Sequence, residues 1–169
     1  MALGRTYTID SGQITIGTAT TPQPVISAYT TTTNVADIEC IRVGIFSNAS
    51  VSYPSNGTVL CQLARVTTTG TASGTLTPHA HNQTDLAANT SWATGGWQTT
   101  PTTTGYTILW GQSIPFTAGA NWAEWVTPGA EWRIGPTSTT AAAAYLALFV
   151  TVSSTSSNTS IVAEIVFSE

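Results

Sequence analysis

The chain has 169 residues, the length of one domain, and only 7% of them are charged, against about 25% in ordinary globular proteins. Four arginines, no lysine and a formal net charge of -4 exclude a protein that neutralises a nucleic-acid backbone. The hydrophobic share of 41% excludes a disordered chain. No run reaches the roughly 18 apolar residues of a membrane helix, and the N-terminus lacks a secretory pattern, so we expect no membrane partner.

The first 23 residues differ from the rest of the chain. Two short strand-like pieces, residues 5–9 and 13–17, end in a stiff link that contains Pro22 and Pro24. Two interpretations stay open: an N-terminal arm that adds a strand to another chain's sheet, or the first hairpin of the same domain. If the segment is an arm, Arg5, Tyr7 and Ile9 are candidate contact residues.

The body of the chain, residues 24–169, is a succession of short β-branched and aromatic runs separated by Gly, Pro, Asn and Ser. This pattern is typical of a sandwich or a barrel. We therefore predict an all-β domain of about eight strands, folded as a two-sheet antiparallel sandwich like a jelly roll. The candidate strands after the N-terminal segment are residues 24–29, 35–47, 58–67, 105–114, 120–126, 131–134, 144–153 and 160–168.

The strand predicted at residues 35–47 is apolar on both faces. Ile41, Val43 and Ile45 share one face, and Ile38 and Cys40 share the other. Because strands with two apolar faces are usually buried on both sides, the pattern predicts a central, fully covered strand.

Two local features concern this strand and the next one. The sequence from Pro54 to Gly57 has turn chemistry, which predicts a hairpin between the two strands. Cys40 and Cys61 fall in separate predicted strands, and we expect two buried thiols, although spacing leaves a disulfide possible.

The stretch of residues 68–104 is rich in Gly and Pro and is too long for a passive connection. Loops above about 12–15 residues are usually functional or disordered. Trp92 and Trp97 lie in this stretch, and large aromatic rings favour ordered packing. We therefore predict one long ordered loop that packs against a neighbouring subunit.

Side chains that could carry chemistry are few and scattered. His79 and His81 point the same way on an extended segment, but a zinc site needs three or four ligands and the chain has no other histidine. No catalytic triad spacing, nucleophile elbow or phosphate loop occurs. Glu124 and Glu131 make a glycosidase-type pair conceivable. We predict a protein that is not an enzyme and that needs no cofactor or metal.

The six tryptophans are concentrated between residues 92 and 132. Tryptophan is enriched in interface hot spots, lines sugar-binding platforms and also fills cores. These three interpretations stay open. As candidate interface residues we take Trp92, Trp97, Trp122, Trp125 and Trp132.

Three segments resemble head-decoration and other capsid-associated proteins of tailed bacteriophages. They are LARVTTTGT at residues 63–71 followed by LTP at 76–78, TTPT at 99–102, and the closing IVAEIVFSE at 161–169. The resemblance extends loosely over residues 35–169, and the N-terminal segment and the tryptophan-rich stretch lie outside it. It implies a β-sandwich that binds the outside of an icosahedral shell, as a trimer, and stabilises that shell.

The leading hypothesis is therefore a virion decoration or cement protein, made in the host cytoplasm and located on the capsid exterior. Its expected partners are further copies of the chain and the major capsid protein. The alternative is a carbohydrate-binding or host-recognition sandwich of a phage spike, fibre or lectin. That alternative is based on Trp122, Trp125 and Trp132 with the nearby Asn121 and Glu124.

Overall fold

The computed structural model describes residues 4–17, 22–29, 36–46, 57–66, 74–88, 90–94, 107–115, 121–126, 132–134, 145–153 and 159–169. Every regular element in these ranges is a β-strand. The strands are β1 (Thr6–Asp10), β2 (Ile14–Gly17), β3 (Gln23–Tyr29), β4 (Ala36–Phe46), β5 (Thr58–Val66), β6 (Gly74–Leu76), β7 (His79–Ala80), β8 (Ser91–Thr94), β9 (Thr107–Pro115), β10 (Asn121–Val126), β11 (Arg133–Ile134), β12 (Tyr145–Val152) and β13 (Thr159–Ser168).

The strands form two sheets in which all pairs are antiparallel. Sheet A has the order β10-β4-β13-β1-β7, with β11 also on β4 and β2 also on β13. Sheet B has the order β6-β8-β3-β12-β5-β9. The predicted all-β class and the two antiparallel sheets are confirmed.

The core lies between the two sheets. The alternation along β5, β12 and β13 is as the sequence predicts, because Val59, Leu63, Leu148, Ile165 and Phe167 all point into one buried cluster. Such alternation follows from the two-residue period of a strand, which sends every second side chain to the same face.

The strand β4 is central, as predicted, but its two faces differ from the predicted ones. The register of its pairing with β13 shifts at this point. Val166 lies opposite Cys40 and Phe167 lies opposite Ile38, so β4 has one extra residue, Glu39, between the two pairs. A bulge of this kind resets which side chains face the core. Ile38 therefore lies in the core with Ile41, whereas Arg42 on the opposite face is exposed. The prediction that both faces are covered is wrong at Arg42.

The hairpin predicted between β4 and β5 is also wrong, because the two strands lie in different sheets. The turn residues between Pro54 and Gly57 make a reversal of direction favourable, but they do not decide which strands pair. The chain passes from sheet A to sheet B between β4 and β5.

The N-terminal segment is part of sheet A. Tyr7 pairs with Phe167 across β1 and β13, and β2 continues along the same neighbour, where Ile14 pairs with Ile161. Between β1 and β2, Gly12 has a positive φ of 63°, which glycine adopts without steric cost. The two pieces thus form one interrupted strand along β13, which differs from both the arm and the hairpin that the sequence left open.

A buried serine fixes this interruption. Ser11 Oγ accepts a hydrogen bond from the N–H of Ala163 at 2.9 Å, and the N–H of Ser11 donates to the carbonyl of Ala163 at 2.9 Å. Both bonds take the place of backbone hydrogen bonds to β13 that are lost where the strand is interrupted.

The stretch predicted as one long loop contains three strands. Strands β6 and β8 extend sheet B, and β7 pairs with β1. Trp92 on β8 packs on Phe167, with ring centroids 4.9 Å apart. The stretch is ordered in its described part, but its order comes from packing within the chain.

Candidate functional site on the outer face of sheet A

The outer face of sheet A, which points away from sheet B, contains three cross-strand rows contributed by β10, β4 and β13. The register aligns the residues of each row directly opposite one another. Side chains in such rows are close enough to interact. The rows are Trp122–Gly44–Val162, Glu124–Arg42–Glu164 and Val126–Cys40–Val166.

The middle row is an ion-pair network centred on Arg42. Its Nε donates to Glu124 Oε1 at 2.9 Å, and its Nη1 donates to Glu164 Oε1 at 2.5 Å. These hydrogen bonds, first to Glu124 and then to Glu164, raise the pKa of Arg42 above its usual value. The Arg42 side chain is 45% exposed, so the network faces solvent and stabilises the fold only modestly. Its main effect is to hold both carboxylates in place.

Among the described residues, one oxygen of each carboxylate in this network has no hydrogen-bond partner. Both bonds to Arg42 use Oε1, and no described residue donates a hydrogen bond to Oε2 of Glu124 or Glu164. An ionised carboxylate accepts hydrogen bonds through both of its oxygens. The network therefore presents two oriented acceptors to solvent.

The first and third rows add exposed apolar side chains. Trp122 is 60% exposed and Val126 is 64% exposed, both on the edge strand β10. Directly opposite Trp122 stands Gly44, which has no side chain to cover the indole. The indole and the carboxylate network thus lie side by side on one open face.

The two cysteines occupy different environments and are not paired with each other. Burial raises the pKa of the Cys61 thiol to about 12. Burial also raises the pKa of Cys40, whose Sγ lies 3.7 Å from Glu124 Oε1 on the outer face of sheet A. Both are buried free thiols, as expected.

Several candidate interface residues from the sequence belong to the interior. Tyr7, Ile9 and Trp92 are fully buried in the core cluster. Because a partner can touch only exposed atoms, these three are removed from the candidate contact surface. Their size and apolarity, which suggested contact residues, instead fill the space between the sheets.

Of the other candidate tryptophans, two form a stacked pair and one is an exposed single ring. Trp125 and Trp132 stack on each other with centroids 3.7 Å apart, and Trp132 is buried. The three-tryptophan platform suggested by the sequence is therefore not formed, because two of its members cover each other. Trp122 is exposed, and Trp97 lies outside the described residues.

Arg5 is exposed at the start of β1, where its backbone exchanges hydrogen bonds of 3.0 and 2.9 Å with Glu169. The Glu169 carboxylate in turn accepts hydrogen bonds from the backbone N–H and the hydroxyl of Thr90. The chain ends are thus tied together and to the segment that precedes β8. This arrangement is structural and leaves the Arg5 side chain at the surface.

A cavity of about 250 Å³ lies beside β6 and β8. Trp92 forms part of its wall, and no described residue accepts a hydrogen bond from the Trp92 indole N–H. The described residues of its lining include no charged or titratable side chain, so they offer little chemistry. The lining residues are Thr75, Leu76, Thr77, Pro78, Ala87, Ala88, Thr90 and Trp92.

The sequence analysis missed Arg42, Gly44 and Glu164. Alternation along a strand indicates that Glu164 points away from the core, but it does not say which strands become neighbours. Arg42 and Glu164 are 122 positions apart and meet only because β13 pairs with β4.

The described residues contain no group of three or more His, Cys, Asp and Glu that could hold a metal ion. In the same part of the chain, no helix is long and apolar enough to cross a membrane. Comparison with protein families, curated proteins and solved structures found no match for this chain.

Proposed function

We propose that this chain is a structural virion protein that binds the outer surface of an icosahedral phage capsid and stabilises it, as decoration or cement proteins do. In this proposal the chain forms a homo-oligomer, expected to be a trimer, whose second partner is the major capsid protein. The phage assignment is supported by the sequence resemblance at residues 63–71, 76–78, 99–102 and 161–169.

The observation that carries the assembly proposal is an uncharged edge on sheet B. The nine residues of β9 contain no charged side chain, and within the described part of the chain β9 pairs only with β5. Ile108 on this strand is 48% exposed. Soluble proteins usually protect such edges with lysine or other charges, because an open edge can pair with another chain. An edge left uncharged fits a protein that is covered by partners.

The edge strand of the other sheet lies beside β9. Strand β10 contacts β9 across the two sheets, and it exposes Trp122 and Val126. One long side of the sandwich therefore combines an open strand edge with exposed apolar side chains. Apolar and aromatic side chains are typical of the buried centres of protein interfaces.

The proposal includes a jelly-roll-like topology. The chain passes between the sheets eight times, from β2 to β3, β3 to β4, β4 to β5, β6 to β7, β7 to β8, β9 to β10, β11 to β12 and β12 to β13. The N-terminal strand β1 pairs with the C-terminal strand β13 inside sheet A. Repeated crossing between two antiparallel sheets favours this class of sandwich.

The stabilising mechanism is mass action. A protein that binds the assembled shell but not the free shell subunits shifts the equilibrium towards assembly by an amount that grows with its concentration. An oligomer with one contact edge per chain also binds several shell subunits at once, so weak single contacts combine into a stable attachment.

The experiment is light scattering after size-exclusion chromatography, followed by co-sedimentation with purified phage shells. We expect a stable oligomer that binds shells in fixed stoichiometry and raises the temperature at which they open. Ile108→Lys should weaken oligomer or shell binding at least tenfold, because it places a charge on the β9 edge. The matched control is Thr75→Lys, which puts the same charge on β6 at the opposite edge of sheet B.

A soluble monomer that leaves the shells unchanged would overturn the proposal. If Ile108→Lys and Thr75→Lys weakened oligomer or shell binding equally, the β9 edge would not be the contact edge. Both variants keep the core intact, so circular dichroism should show the wild-type spectrum.

A further inference from the structure

The exposed ring of Trp122 is suited to contact a flat ligand. The side chain is 60% exposed at the edge of sheet A, and its cross-strand neighbour Gly44 has no side chain that could cover it. An aromatic ring offers a rigid apolar surface at low entropic cost, and the indole N–H adds a hydrogen-bond donor. The apolar C–H face of a sugar ring matches such a surface.

Polar groups that match sugar hydroxyls lie one row away. Glu124 is two residues from Trp122 on the same strand and the same face, a separation of about 7 Å. The Oε2 atoms of Glu124 and Glu164 are free acceptors among the described residues, and the guanidinium of Arg42 has further N–H donors. Because the ion pairs fix these groups before binding, little ordering cost remains when a ligand arrives.

The local charge selects among saccharides. Asp10 stands opposite Glu164 in the register, so one cross-strand row holds three carboxylates and the guanidinium of Arg42. This leaves a local excess of negative charge, which repels acidic sugars and phosphorylated polymers and leaves neutral sugars unaffected.

We propose that this part of the outer face of sheet A is a binding site for neutral saccharides. One sugar ring stacks on Trp122, and its hydroxyls donate to Glu124 and Glu164. The site is open and shallow, so a single contact is weak, and several copies of the chain acting on one polysaccharide would give useful avidity. This inference concerns a different ligand from the capsid proposal, but Trp122 lies on the side of the sandwich proposed for assembly, so a sugar and a protein partner would compete for this ring.

The test starts with an array of neutral and acidic glycans probed with the purified chain, followed by titration of the best neutral oligosaccharide by calorimetry. We expect neutral hexose-containing glycans to bind and acidic ones to bind at least tenfold more weakly. Trp122→Ala should reduce affinity at least tenfold, Trp122→Tyr should restore part of it, and Glu124→Gln should weaken binding several-fold.

The matched control is Val126→Ala, on the same strand and the same face but outside the proposed contact. It should change affinity less than twofold. The proposal would be contradicted if no neutral glycan bound or if acidic glycans bound more tightly. It would also be contradicted if Val126→Ala and Trp122→Ala reduced sugar affinity equally. Shell binding measured on the same variants separates the proposals, because Ile108→Lys should weaken shell binding and leave sugar affinity unchanged, whereas Glu124→Gln should weaken sugar binding and leave shell binding unchanged.

Discussion

The outer faces of the two sheets differ in polarity and in burial. On sheet A the outer face presents ion pairs to solvent, around Arg42 and between Arg133 and Asp37. The outer face of sheet B carries an apolar cluster in which Phe149 and Val66 are almost completely buried. Their cluster is separate from the main core and contains Ala64, Val66, Ala147 and Phe149.

This difference shows which face of the molecule can take a ligand. Sheet B is buried on both faces around Phe149, so its side chains there contribute to stability. Ser27, which pairs with Ala147 on the same sheet, is also buried, and its hydroxyl has no hydrogen-bond partner among the described residues. The outer face of sheet A is open around Arg42 and Trp122, where substitutions should alter binding and leave stability nearly unchanged, although Cys40 and Val166 on the same face are buried.

The largest expected effect comes from truncating a large side chain on the buried outer face of sheet B. Phe149→Ala should lower the free energy of unfolding by about 3–5 kcal/mol, because it removes a large buried ring and leaves a cavity. Trp122→Ala removes a larger ring from the open face and should change the same quantity by less than about 0.5 kcal/mol. Urea denaturation measures both, and similar losses would contradict the assigned difference between the faces.

The next effect concerns the two thiols. Burial raises the pKa of Cys61 from 9.0 to about 12, so the unfolded chain loses this proton at a lower pH than the folded one. The stabilisation from the buried thiol is complete below about pH 9 and is lost as the pH rises towards 12. At pH 10.5 the loss is about 2 kcal/mol relative to pH 8, since each pKa unit corresponds to about 1.4 kcal/mol.

The free energies of unfolding of the wild type and of Cys61→Ala are measured at several pH values. The loss is the difference between the slopes of the two free energies against pH. In the native protein, Cys40 on the outer face of sheet A should react with iodoacetamide before Cys61, which lies between the sheets. Equal slopes, or faster labelling of Cys61, would show that Cys61 is not shielded as described.

The smallest effect is expected at the ion-pair network. Arg42→Met should cost about 1 kcal/mol or less, because exposed ion pairs contribute little to stability. The same substitution leaves Glu124 and Glu164 facing each other without their common partner, so binding at this face should change more than stability does. Parallel urea and ligand titrations compare the two, and a loss of several kcal/mol would indicate that Arg42 supports the fold.

The sequence predicted the strands well where alternation was clear. All ten predicted strands are present, with ends within two residues, including those at 35–47, 58–67 and 160–168. Strands β6, β7 and β8 were missed because runs of two to four residues are too short to show a clear period. Residue type alone did not separate buried from exposed tryptophans, since Trp92 and Trp122 suit a core and a surface equally.

The sequence by itself determined the all-β class, the positions of the main strands and the low charge of the surface, because these depend on local periodicity and composition. Only the tertiary structure decided which strands are neighbours. It placed β4 and β5 in different sheets, ran the N-terminal segment along β13, and brought Arg42, Glu124 and Glu164 together. The physical reason is that strand pairing joins residues far apart in the chain, and no local pattern encodes the identity of the partner strand.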